Sequence, residues 1–162
     1  MFHPLKAGLA ALALSLTALA TAATADEITT YVDHGAAIGG TDPVAYFTEG
    51  KPVAGSNDFT ATYDGVTWKF ASARNRDLFA ANPRKYAPQY GGFCAFGASK
   101  GFKVPVIPEA WQIVDGKLYL NNSKAVQKRF EADTEEIIHD ATLNWEIIRD
   151  KKPEDLKEPI IR

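Results

Sequence analysis

From Phe59 to Phe70 apolar and polar residues alternate on both sides of Asp64-Gly65. Phe59, Ala61, Tyr63, Val66, Trp68 and Phe70 fall on one face, and Thr60, Thr62, Thr67 and Lys69 on the other. Asp-Gly between alternating runs marks a two-residue type I′ turn, so the pattern predicts a hairpin over 59–70 with one buried and one wet face. Ser72 then caps a helix over about 73–81, with Leu78 and Phe79 turned inward and Asn82-Pro83 ending it.

The same order recurs: a hairpin over 111–120 around Asp115-Gly116, then Ser123 opening a helix over 124–131 with Val126 and Phe130 inward. An offset of 51 residues superimposes the Asp-Gly pairs and the capping serines. The second apolar face, Trp111, Ile113, Leu118 and Leu120, has the opposite parity at that offset, which would turn every side chain over. The pattern is a recurring motif rather than a duplication. A last helix over 134–149 carries the stripe Ile137, Ala141, Trp145 and Ile148, with Asp133 and Glu136 spaced for a capping box. The fold class is therefore α+β: a small single domain of antiparallel β-hairpins packed with short helices and a C-terminal helix. From Asp150 charges and prolines predict an extended or frayed tail, residues 151–162.

The N-terminal pattern is of another kind. Lys6 precedes an apolar run from Ala7 to Leu19, and Ala23-Thr24-Ala25 forms a small-x-small site before Asp26-Glu27. Residues 1–25 read as a cleavable signal peptide, its apolar run shorter than the roughly 20 residues of a membrane span. The expectation is a periplasmic protein with no stable span after processing, its domain covering 26–150. Processing would move the net charge from −2 to −3 and remove the only Met. With no basic block, nucleic acid is not an expected partner. With 46% hydrophobic residues the chain can fill a core, and with one cysteine it has no internal disulfide.

Tyr86 to Pro108, rich in Gly, Pro and aromatics, is the least regular stretch and the first place to seek function. Cys94 lies there, after Gly91-Gly92. At a helix start its thiol would be acidified and fit to bind metal, while between Phe93 and Phe96 it would be a small buried hydrophobe. His34 precedes any regular element, as a mobile ligand or acid/base group or as an exposed loop residue. His139 lies opposite the apolar stripe and should be solvated. No spacing forms a metal cage, a nucleophile elbow or a phosphate loop, so enzyme signals are absent.

Asp42-Pro43-Val44, then Gly65-Val-Thr-Trp68-Lys-Phe70-Ala-Ser72, then Phe79-Ala-Ala-Asn82-Pro83-Arg-Lys-Tyr86 resemble the YHS domain family, over roughly residues 40–90. The rest is similar to its exported, stand-alone bacterial branch. The resemblance implies a small α+β domain and, in the metal-linked branch, a cysteine site for soft cations. Matched residue by residue, the cysteines of that site are here Ala45, Ala71 and Asn75. Alanine has no donor atom and asparagine is a poor ligand for soft metals.

These observations favour an exported, non-catalytic binding domain. Its ligand would be a soft or borderline transition-metal cation, copper- or zinc-like, held by Cys94 and His34, with Asp33, Asp42, backbone or a second chain completing the set. Two alternatives stand beside it: a metal-free protein-interaction module docking its partner on 86–102, and a single-thiol redox protein. Cys94 is expected partly buried at the floor of a cleft, with the His34 loop at its mouth.

Overall fold

The computed structural model describes residues 26–156, so the signal-peptide reading of 1–25 and the end of the tail lie outside the described residues. The chain runs α1 (Asp26–Thr29), β1 (Val32–Asp33), β2 (Ala36–Ala37), α2 (Ala45–Thr48), β3 (Ser56–Tyr63), β4 (Val66–Phe70), α3 (Ala73–Ala81), α4 (Pro83–Tyr86), α5 (Ala95–Ser99), β5 (Trp111–Val114), β6 (Lys117–Leu120), α6 (Lys124–Ala132) and α7 (Thr134–Ile148). The strands pair as three antiparallel hairpins, β1-β2, β3-β4 and β5-β6, each a two-stranded sheet of its own. The fold is α+β.

Both expected hairpins form in the expected register, Tyr63 opposite Val66 and Val114 opposite Lys117. Asp64 and Asp115 take the left-handed φ values of 48° and 51° that a type I′ turn requires. On the first hairpin Val66, Trp68 and Phe70 are buried while Thr60, Thr62 and Thr67 are exposed. Strand β3 begins earlier than expected, at Ser56, because the ladder slips between Ser56 and Thr60.

His34 is a correction. It does not precede regular structure but sits at the tip of the β1-β2 hairpin, with φ 50° followed by Gly35 at 72°. His-Gly thus makes the same kind of turn as the two Asp-Gly pairs. Flanking strands of two residues each are too short to show an alternating pattern.

The second hairpin departs from the one-wet-face expectation. Leu118 and Leu120 join a core built from the first hairpin, Val44, Tyr46, Phe79 and Tyr86. Tyr119, on the opposite face, is also buried and joins a second core with Tyr90, Ala95, Ala98, Phe130, Ile137 and Ala141. Strand β6 is therefore the wall between two cores. Helix α5 lies against α7 in the second core, where Ala95, Ala98 and Ala141 are fully buried and small enough for close approach.

The serine caps form: Ser72 accepts from Asn75 N at 3.1 Å and Ser123 from Val126 N at 3.2 Å. The Asp133–Glu136 capping box does not. Asp133 alone separates α6 from α7 and its side chain makes no cap bond. The chain turns too abruptly there, and Thr134 Oγ1 instead donates back to Phe130 O of α6 at 2.9 Å. Ile137, Ala141 and Ile148 of the stripe are buried, and Asn144 is buried beside them, donating to Ser99 O at 2.9 Å. His139 is exposed. The start of the tail folds into a short 3-10 turn, Pro153–Asp155.

Candidate functional site

The segment 86–102 is a junction rather than a loose loop. Tyr90 and Gly91 adopt left-handed φ values of 55° and 61°. That turn presents Gly91 to the N-terminal stretch, where Gly91 O accepts from Tyr31 N at 2.8 Å. A Cβ on Gly91 would stand 1.8 Å from Thr29 O, so only glycine lets the two backbones meet.

Lys103 fastens the same region from behind. It is 6% exposed, and its ammonium donates to Ile28 O at 2.5 Å and to Arg149 O and Lys151 O, both at 2.6 Å. It also lies 5.4 Å from the Phe93 ring centroid and 5.3 Å from that of Trp145. Burial pulls its pKa down to about 8, with the Asp150 carboxylate pulling the other way. Three carbonyls and two ring faces replace the water lost by the cation.

These contacts define a cleft of about 600 Å³. Thr29 and Thr30 line one part, Asp64 and Lys117 at the tips of the two long hairpins another, and the run Ala87–Gly91 a third. The end of α7 closes it with Trp145, Arg149 and Asp150, and Tyr63, Trp68 and Arg84 complete the lining. Arg149 Nε lies 3.3 Å from Asp150 Oδ2.

Neither sequence-selected ligand lines this cleft. Cys94 is 1% exposed and is the N-cap of α5, its sulfur accepting from Gly97 N at 3.4 Å and donating to Asn121 Oδ1 at 3.6 Å. Burial pushes its pKa up, and the nearby backbone N–H groups, Gly97 first, offset this only in part. The acidification expected at a helix start is outweighed by desolvation. The His34 side chain is 90% exposed, 3.7 Å from Asp33 Oδ2. The structure thus puts one proposed ligand in the interior and the other at the tip of a turn. Among the described residues no group of three or more His, Cys, Asp and Glu side chains is arranged to hold a metal ion.

Asp42, considered as an accessory ligand, has a different task. It is fully buried, and Oδ1 accepts from Val44 N at 2.8 Å and Ala45 N at 3.3 Å. Oδ2 accepts from Ala71 N at 2.8 Å and Asn75 Nδ2 at 2.7 Å. Ala45, Ala71 and Asn75 are the positions where the resemblance implies cysteines, so the structure gathers all three on one carboxylate. What the sequence shows as three missing ligands is in space a closed hydrogen-bond node.

Sequence reasoning missed Lys103, Thr29 and Trp145 as parts of one place. A lysine between Phe102 and Val104 carries no local sign of burial, and its carbonyl partners lie 46, 48 and 75 residues away. Aromatic density in 86–102 was the one usable signal.

No curated protein and no solved structure matches the chain. Residues 44–90 match the family profile described as YHS domain. That stretch contains all three positions gathered on Asp42, and it runs from the first core to Tyr90 at the edge of the cleft. Over residues 44–90 the chain is similar to the YHS domain family.

Proposed function

We propose that this is an exported, non-catalytic YHS-type binding domain whose binding surface is the cleft along Ala87–Gly91. The observation that carries this reading is convergence: the N-terminal stretch, the tips of the two long hairpins, Arg84 with Ala87–Gly91 and the end of α7 all contribute to one concavity. Part of the irregular segment singled out for partner docking supplies its middle. The sequence pattern at 1–25 supports export.

The metal reading through Cys94 and His34 draws less support. A thiol buried to 1%, with a raised pKa and both its hydrogen-bond roles used, has little thiolate to offer a cation. Binding at the cleft is tested by titrating a mixture of flat fragments, charged and neutral, against the labelled protein and against Ala87→Trp. Amide shifts at Tyr63, Gln89, Gly91 and Trp145 that vanish in Ala87→Trp are expected; shifts confined to other surfaces refute the reading. Metal content of the purified protein should be the same with and without Cys94→Ser. A transition metal lost in that variant would restore the thiolate site.

A further inference from the structure

We propose that the cleft takes a small organic monoanion with a flat apolar body, its carboxylate held by Arg84 and Lys117 and its body lying along Tyr63 and Trp145. This rests on the cleft being the binding surface and adds the chemical class of what it binds.

The charge argument has three parts. Arg84 and Lys117 are exposed on the rim and, among the described residues, neither has a carboxylate within ion-pair distance. Lys103 is buried behind the cleft, its hydrogen bonds among the described residues going to neutral carbonyls, and the Asp150 carboxylate offsets its charge only in part. It touches Trp145, a ring that lines the cleft, and a charge in a low-dielectric wall projects its field further than one in water. The third part is the acids. Asp150 is engaged by Arg149, which leaves Asp64 as the one lining carboxylate without an ion-pair partner among the described residues. A locally positive cleft on a chain of net charge −2 is a property of the place, not of the composition.

The apolar argument rests on Tyr63 and Trp145. Both are half-buried, so each offers ring surface while its backbone is fixed in a strand and a helix. Trp145 has the Lys103 ammonium 5.3 Å from its ring, which draws electron density from it and favours stacking on an electron-rich partner. A cleft of about 600 Å³ lies within the usual range for small-molecule sites and exceeds the needs of a bare inorganic ion.

Phenylacetate and its neutral isostere phenylacetamide separate charge from shape, read by amide chemical shifts and calorimetry on the protein. Phenylacetate is expected to shift Tyr63, Gln89, Gly91, Lys117 and Trp145 and to bind about tenfold tighter than the amide. The surface double variant R84Q/K117Q should abolish that preference without altering the rest of the spectrum. Lys103→Met should weaken phenylacetate further if it folds, and the double variant decides the matter if it does not. Equal affinities at the same amides would overturn the anion assignment while leaving the cleft as a binding surface. Fragments shifting those amides in the mixture while phenylacetate shifts none would do the same. No fragment of any charge reaching the cleft would overturn both.

Discussion

The Asp42 carboxylate accepts from three separate stretches of chain, and removing it strands four donors at once. Asp42→Ala is therefore expected to cost about 3–5 kcal/mol in chemical denaturation, as large as a deleted core aromatic. Trp68→Ala should cost a similar 3–5 kcal/mol, whereas Thr67→Ala, one residue away on the wet face, should stay within about 0.5 kcal/mol. Equal effects at the two positions would contradict the register. Trp68 was legible because a period of two announces itself within a few residues. Asp42 was visible as the head of a motif but its task was not, since its partners Ala71 and Asn75 lie 29 and 33 residues away. Cys94 shows two local signals in conflict. Its flanking phenylalanines argue for burial and its helix start for acidity, and burial wins because, among the described residues, only backbone N–H groups offset the desolvation. Thiol labelling of Cys94 should accordingly need denaturant, and labelling at the same rate in native protein would remove the burial.

At the scale of elements, the junction at Gly91 and Lys103 determines whether the N-terminal stretch stays seated. Gly91→Ala would place a methyl group on Thr29 O in a backbone conformation alanine dislikes. The cost should exceed the roughly 1 kcal/mol typical of glycine exchange in an ordinary element, with faster amide exchange concentrated at Tyr31. Lys103 gives the junction a pH signature. Its pKa falls from 10.5 to about 8 on folding, through burial first and against the Asp150 carboxylate. Between these values the unfolded chain binds more protons, so this residue's contribution to stability rises with pH across that window. Below about 8 the penalty of burying the charge is fully present. Denaturation at several pH values should show the wild type gaining on Lys103→Met from neutral to alkaline solution. A constant difference would mean that Lys103 keeps its ordinary acidity. Hairpins, capping serines and the α7 stripe were readable because they are local. The absent capping box was not, because whether Asp133 can cap depends on how closely α6 and α7 follow one another.

For the whole molecule, the feature a one-dimensional pattern could not convey is the pair of cores divided by β6. Alternation presumes that one face meets water, and Leu118-Tyr119-Leu120 reads equally as a short strand with a wet tyrosine. Only the packing of α5, α6 and α7 against Tyr119 turns it into a partition. The cleft was illegible for the same reason: it belongs to no element and arises where five of them end. The grip of Lys103 on Ile28, Arg149 and Lys151 has one more consequence, for engineering. Two chain positions more than a hundred residues apart are held on a single nitrogen, so the backbone is almost a closed ring. A short glycine-serine linker joining residue 152 to residue 27, with new ends opened at the exposed Asp115-Gly116 tip, should yield a circular permutant with an unchanged amide spectrum away from the cut.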